Sequence, residues 1–491
     1  MLGTLRPQDS VDRQQADRGM RMLLYDGMCS QTMAVLTGGA FLVAFALLLG
    51  ASNKVIGLLA AIGPVAQILQ IPAVFLVDRT RARKATVVLA SAASRLTWVL
   101  VALLPWLVPA DQRLTVLLIA LGAYFALGAV SGCAFNSWMR DLIPSDAMGT
   151  YFARRMALSI ALGAALSIVA AVGVDLYTKY LPGKIGAYTI LFSAGAAFGL
   201  VGVGFLTRVP EPRMAPTSDK GLLGVLAEPF GNVNFRKLLV FLASWNFAVA
   251  FAAPFFVVYM LRRIGLSMTW ILMLGVVSML MNVLFLRVWG RLADAFSNKS
   301  VLAVSGPLFM VSIILWPFTT MPERYFLTLP LLAAIHVLAG VSAAGVSLCT
   351  GNLALKSAPQ GRATSYLAVN ALVSGVAAAV APILGGLAAD AFAPHTLDLT
   401  FRWTQSAATT QQVELPAMSI RGLDFLFLIS FVLGLYSLHR LLAVREEGEV
   451  AEEVVRTEFY SEVRRTVRHV SNVPGLRYLT MFPYAHLKDV L

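Results

Sequence analysis

Three ionisable side chains lie within or beside long apolar runs, where an unpaired charge is costly. Arg95 sits mid-run in Ser91-Ala92-Ala93-Ser94-Arg95-Leu96-Thr97-Trp98, His336 in Ala334-Ile335-His336-Val337, and Asp26 a few residues ahead of the first run. An arginine at the centre of a membrane helix costs about 2.5–3.5 kcal/mol on insertion scales, so Arg95 must face protein or a water-filled cavity, or find a carboxylate. Trp98, one turn on, is a candidate to cover the guanidinium face. His336, with a reference pKa of about 6.5, is suited to carrying a proton. Asp26, Arg95 and His336 are therefore the candidates for ion coupling. The structural alternative for each is a tether between helices or a place in the headgroup zone. No carboxylate falls squarely inside a run; Asp175 and Asp390 stand at run ends.

Neutral hydrogen-bonding groups are more numerous in the runs. Gln31, Thr37, Gln67, Gln70, Asn136, Trp245, Asn246, Asn282 and Asn370 carry amides, a hydroxyl or an indole. Such groups suit a polar, uncharged or weakly charged solute, held by hydrogen bonds and stacking. Interhelical hydrogen bonding, worth about 0.6–2 kcal/mol in membranes, is the rival explanation for each.

The elements that must position these groups follow from composition. The 491 residues are 58% hydrophobic and 13% charged with a net charge of +13, against about 45–50% and 25% in soluble domains. A soluble enzyme, a disordered regulator and a disulfide-stapled secreted domain are excluded. Apolar blocks of about 20 residues, rather than alternating pairs, argue for membrane-crossing helices and against an outer-membrane barrel. The blocks predict spans near 29–50, 55–77, 85–107, 113–138, 155–175 and 186–207, then 238–261, 268–288, 300–319, 325–349, 364–389 and 422–444. The expected fold is an all-α polytopic membrane protein with twelve transmembrane helices. Its expected segments are 1–28, a cytoplasmic N-terminal segment; 29–207, a six-helix half; 208–236, a cytoplasmic loop; 237–444, a second six-helix half; and 445–491, a cytoplasmic tail.

Orientation is read from Lys and Arg in the short loops. With the N-terminus inside, inner loops hold seventeen and outer loops nine, which places both termini in the cytoplasm. The positive charge then records topology and needs no nucleic-acid partner. A duplication is also visible. Leu76-Val77-Asp78 recurs as Leu292-Ala293-Asp294 at an offset of 216, an offset shared by Cys133 and Cys349 and by Asn136 and Asn352.

At these residues the chain resembles the major facilitator superfamily. That family carries a G-x-L-A-D-R-x-G-R-R/K signature between spans 2 and 3 and a weaker copy between spans 8 and 9. Here the second copy reads Gly290-Arg291-Leu292-Ala293-Asp294, while the first keeps Asp78, Arg79, Arg83 and Lys84 but has Val74 in place of the opening glycine. The resemblance implies two six-helix halves that rock about a central site lined mainly by spans 1, 4, 7 and 10. It makes Gln31, Thr37, Gln67, Asn136, Trp245, Asn246, His336 and Asn370 the substrate-binding candidates. The signature residues Asp78, Arg79, Arg83, Lys84, Arg291 and Asp294, extended by Arg140 and Asp141 after span 4, are the candidates for a charged clasp at the inner ends of the helices. Topology alone also explains cations at such a boundary. The chain departs from the drug–proton antiporters of the family: span 4 has no internal arginine and span 5 no Gly-Pro pair.

Residues 449–470 place Val450, Val454, Phe459, Val463, Val467 and Val470 at near-helical spacing, which predicts an amphipathic helix on the bundle or the inner leaflet. No phosphate loop, metal-spaced cluster or nucleophile motif appears, so no cofactor, no metal and no enzymatic activity are expected. The function expected is secondary transport of a small organic solute across a bacterial inner membrane, with protons as the candidate coupling ion, by a chain that works as a monomer in the lipid bilayer. The alternative is a transporter-shaped scaffold, assembly factor or receptor that works through its tail.

Overall fold

The computed structural model describes residues 7–9, 11–144, 148–214, 228–320, 323–358, 363–405, 411–446, 454–459 and 461. The chain is built from long helices. They are α1 (Arg13–Thr37), α2 (Gly39–Leu48), α3 (Asn53–Gln67), α4 (Gln70–Thr80), α5 (Arg83–Leu107), α6 (Arg113–Leu142), α7 (Met148–Tyr180) and α8 (Lys184–Leu206), followed by α9 (Val233–Val258), α10 (Met268–Ala295), α11 (Asn298–Ile314), α12 (Thr328–Lys356), α13 (Ala363–Phe392) and α14 (Leu423–Leu442).

Among the described residues, ten helices are long and apolar enough to cross a bilayer. Two of the twelve predicted segments depart from that pattern. The second is split into α3 and α4, bent by 43°. Pro72 accounts for the break: it has no N–H, and its ring would meet the carbonyl of Ile68, where the helix is interrupted. The ninth ends early at Ile314 and passes into a 3-10 turn, Pro317–Thr319, because Pro317 cannot continue the hydrogen-bond ladder. The first segment also begins earlier than expected. Its helix starts at Arg13, on an Asp12 cap, so residues 13–28 are helical and continuous with the first apolar run. The helix is interrupted at Gly38, and Gly39 takes a positive φ of 54° before α2 continues the span to Leu48.

The all-α expectation fails between α13 and α14. Residues Thr396–Gln405 (β1) and Gln411–Arg421 (β2) pair antiparallel, from Thr396 opposite Arg421 to Gln405 opposite Gln411, with an irregularity after Leu399. The strand signal is local: Leu397, Leu399 and Phe401 alternate with Asp398 and Thr400, a period of two that a search for apolar blocks passes over.

Helices α1–α8 pack mainly on one another, as do α9–α14, and the two bundles meet chiefly where α3 lies on α13 and α7 on α10. Small residues allow the first contact. A Cβ on Gly57 of α3 would overlap the Pro382 carbonyl of α13, and one on Gly386 would come within 2.6 Å of the Asn53 carbonyl.

The same face of the molecule, which also carries the hairpin, is closed by two reciprocal carboxylate contacts. Asp390 at the end of α13 accepts from the Asn53 and Lys54 amides that begin α3, at 3.1 and 2.9 Å. Asp175 in α7 accepts from the Met268 and Thr269 amides that begin α10, at 3.0 and 2.8 Å. Arg262, in the π-helical turn Tyr259–Ile264 that extends α9, donates to the Ala51 carbonyl at 3.0 Å. An anion at a helix N-terminus is worth about 0.3–1 kcal/mol, up to about 2 when partly buried. We expect Asp175→Ala and Asp390→Ala each to shift the balance toward an open hairpin face about fivefold, for about 1 kcal/mol lost. Spin labels on the exposed Lys179 and Arg324 would read this as a longer distance population; an unchanged distribution in the double variant refutes it.

Candidate functional site

A polar cavity of about 360 Å³ lies inside the N-terminal bundle, lined by residues of all six of its predicted spans and, among the described residues, by none of the C-terminal bundle. Its floor is an ion pair. Arg95 of α5 extends toward α1 and places Nη2 3.2 Å from Asp26 Oδ1 and 2.8 Å from Ser30 Oγ. Its Nη1 donates to the Gly199 carbonyl of α8, and Ser30 in turn donates to Asp26 at 3.3 Å. The pairing puts a guanidinium and a carboxylate together where either alone would be costly. Two glycines of α8 make room for it. A Cβ on Gly202 would stand 2.9 Å from both Arg95 Nη1 and Asp26 Oδ1, and one on Gly199 would meet Arg95 Cδ at 3.2 Å.

Serines form one wall. Ser91 of α5 and Ser131 of α6 share a hydrogen bond of 2.7 Å, and Ser94 donates to the Tyr124 carbonyl at 3.0 Å. Phe125 and Phe135 form the apolar side, Gln67 stands at the end of α3, and Arg155 of α7 lies over the Phe135 ring at 5.4 Å. Asp26, Val87, Arg155 and Leu206 lie in the halves of their spans away from the hairpin, so the cavity sits toward the face where α1 begins and α14 ends.

Asp26, Arg95 and Gln67 are thus brought together. Other candidates are elsewhere. Gln31 lies in a second groove of about 390 Å³, where Ser159 and Gly163 of α7 face Gly275 of α10. Thr37 is buried and donates to the Met33 carbonyl. Trp245 packs against Phe241 and Phe309 within the C-terminal bundle, and Asn246 donates to the Leu242 carbonyl at 2.7 Å. Asn370 accepts from Ser374, and Asn136 is exposed on α6. His336 bonds the Leu332 carbonyl at 2.8 Å and rests edge-on against Trp316. Trp98 does not cover Arg95. It is packed between Tyr124 and Phe192, because Arg95 turns away toward Asp26.

The clasp residues divide. Arg83 is fully buried and pairs with Asp141, donates to the Ser137 carbonyl at 3.0 Å and to the Pro212 carbonyl at 2.7 Å. The acid that completes this cluster, Glu211, was not expected. It accepts from the Arg83 amide at 2.8 Å and also from the Lys84 amide, so it caps the N-terminus of α5, and Arg83 Nε lies 3.6 Å away. Trp138 fastens the same segment by donating to the Pro210 carbonyl at 2.9 Å. Asp141 thus pairs with Arg83, another of the clasp candidates, and Arg81 (φ 50°) lies in the turn between α4 and α5. Among the described residues the side chains of Asp78, Arg79, Arg140 and Asp294 make no hydrogen bond or ion pair. Arg291 is exposed at the end of α10. Burial holds the Glu211 carboxyl above the ordinary glutamate value of 4.5, against the downward pull of the two amides and the Arg83 guanidinium.

The C-terminal bundle repeats the arrangement. Glu446 accepts from the Lys299 amide and from Asn298 Nδ2, both at 2.7 Å, at the start of α11, and lies 3.7 Å from Lys356 of α12. Beyond it, residues 454–459 are helical, and Phe459 stacks on Trp289 at 4.3 Å. The rest of the predicted tail helix lies outside the described residues. Among the described residues no cluster of His, Cys, Asp or Glu is placed to hold a metal ion.

A family model described as Major Facilitator Superfamily matches residues 27–382. No curated protein sequence matches the chain. The fold is similar to a mutant form of the nucleoside transporter NupG, with a TM-score of 0.65 and 13% identity over 88% of this chain and 100% of that one. It is also similar to a bacterial homologue of the iron transporter ferroportin in an inward-facing state (0.61, 12%, 89% and 100%) and to a D-xylose–proton symporter (0.60, 13%, 89% and 99%).

Two outcomes test this geometry. Gly202→Ala inserts a methyl into the Asp26–Arg95 pair, and overpacking of this kind costs about 1–3 kcal/mol. A lower melting temperature is expected for it and not for Gly204→Ala, whose Cβ meets nothing within 4 Å; equal melting of the two contradicts the account. For Glu211 the folded chain holds its proton to higher pH than the unfolded chain. The group's contribution to stability therefore falls as pH rises from about 4.5 through the raised value. Glu211→Gln should flatten the melting-temperature profile over that window, and a profile parallel to the parent would count against the assignment.

Proposed function

The chain belongs to the Major Facilitator Superfamily, and from that premise we propose that it is a secondary active transporter of a small organic solute, working by alternating access across a bacterial inner membrane. The observation that carries the reading is the pairing of two features. A charged, hydroxyl-lined cavity is sunk toward one face, while the opposite face is closed between the bundles by the Asp175 and Asp390 contacts. Rocking of the bundles would break the second and seal the first.

In this reading the twelve segments cross the membrane as two six-helix halves, 29–207 and 237–444, joined by a cytoplasmic loop 208–236 and flanked by 1–28 and the tail 445–491. The excess of Lys and Arg, seventeen against nine, supports placing both termini in the cytoplasm. The cavity then faces the cytoplasm in this conformation. Asp78, Arg79, Arg140, Arg291 and Asp294 are the residues that close that face in the other conformation, which accords with Asp78, Arg79, Arg140 and Asp294 making no hydrogen bond or ion pair among the described residues. The chain acts as a monomer, without cofactor, metal, nucleic acid or catalytic chemistry.

Protons are the proposed coupling ion, and Asp26 with Arg95 is the proposed coupling site. Protonation of Asp26 would release Arg95, and both face the cavity. His336, held to its own helix and against Trp316, is less suited. The scaffold reading draws on one observation, the docking of residues 454–459 on Trp289, and leaves the charged cavity unexplained.

The test is uptake of radiolabelled sugars, organic acids, amino acids and drugs into proteoliposomes, with and without a proton gradient. Gradient-driven accumulation of one class supports the proposal; no flux of any class, in either condition, overturns it. Asp26→Asn should abolish gradient-driven accumulation while exchange across the membrane continues. His336→Gln should leave accumulation intact; the reverse pattern would move coupling to His336.

A further inference from the structure

The cavity of the N-terminal bundle carries an uncompensated charge. Among the described residues, four ionisable side chains line it: Asp26, Arg95, Tyr124 and Arg155. Asp26 is taken by Arg95 and Ser30, which leaves Arg155 as a surplus cation and the site at a net charge of +1 at neutral pH. Arg155 is half-buried on α7, lies over the Phe135 ring and presses against the α1 backbone, where a Cβ on Gly27 would stand 2.6 Å from its Nε. Among the described residues its guanidinium makes no hydrogen bond or ion pair. A guanidinium fork is thus presented to a polar space that opens toward one face.

The remaining walls narrow the ligand further. Ser94 uses its proton on the Tyr124 carbonyl, so its lone pairs are left to accept; Ser91 and Ser131 share one proton and leave one hydrogen to donate. Such a wall hydrogen-bonds hydroxyl groups. Phe125 and Phe135 supply an apolar side for a short carbon chain.

Resting on the transporter reading above, we propose that this cavity takes a small hydroxylated monocarboxylate, with Arg155 receiving the carboxylate and the serine wall receiving the hydroxyls. A guanidinium and a carboxylate form a bidentate, charge-assisted pair in this geometry, and the anion brings the site to neutrality. A neutral sugar of the same length would leave Arg155 uncompensated, and an amino sugar would add a second surplus charge.

Three probes of nearly equal size separate these cases: gluconate, glucose and glucosamine. They are added to the purified full chain in detergent while thermal unfolding is followed. Gluconate should raise the melting temperature saturably at millimolar concentration, with glucose and glucosamine giving little or no shift. Arg155→Gln should lose the gluconate response at least tenfold in concentration, while Arg155→Lys, which keeps the charge but not the fork, retains part of it. Native elution and an unchanged ligand-free melting temperature show that the variants fold; if Arg155→Gln does not, the Lys variant and the three-probe comparison decide alone. A response to glucose or glucosamine equal to that of gluconate, no response to any of the three, or a gluconate response unchanged in a folded Arg155→Gln overturns the proposal. Flux of another solute class in the proteoliposome assay, without gluconate binding, would refute this ligand class and leave the transporter reading standing.

Discussion

Among the described residues, four helices begin on a carboxylate supplied from elsewhere in the chain, and the arrangement of the bundles depends on those four contacts. The first amides of a helix have no partner within it, and in a bilayer water cannot be relied on to supply one. Asp390 serves α3, Asp175 serves α10, Glu211 serves α5 and Glu446 serves α11. The first two join the bundles at the hairpin face; the last two fasten each bundle to itself at the opposite face. Joints between bundles at one end and locks within bundles at the other are what the proposed rocking of two bodies requires.

The four contacts are also the clearest trace of duplication in the structure. Asp390 follows Asp175 by 215 residues, and Met268 follows Asn53 by the same interval. Each bundle therefore lends an acid to the other, as a two-fold relation requires. The inner locks diverge: the N-terminal one is built on Arg83 and Asp141, whereas the C-terminal one has Asn298 and Lys356 at the matching positions and reverses the charge. The asymmetry extends to the cavity, whose charged groups all belong to the N-terminal bundle, while Trp245 and Phe309 fill the other with apolar packing.

Arg95 shows how a charge within a span shapes its surroundings. Its pairing with Asp26 requires α8 to approach closely, hence glycine at 199 and 202, and requires α1 to carry polar groups well before its apolar run begins. Ser91, Ser94, Arg95 and Trp98 share one helical face, and that stripe was a usable signal for the serine wall. Arg155 carried no such mark, since in sequence it is one more cation at a boundary.

The sequence by itself determined the helical membrane class, the positions of the apolar segments, the duplication and the family resemblance, because these follow from local composition and from spacing along the chain. It also flagged Arg95 and Asp26 one at a time, since a charge beside an apolar run is conspicuous alone. Tertiary structure decided which charges meet. That Arg95 finds Asp26 and not Trp98, that Asp141 takes Arg83, and that Glu211 from a linker caps α5 depend on helix rotation and on close approach at glycine. Those are properties of pairs of helices distant in the chain, and no local pattern encodes them.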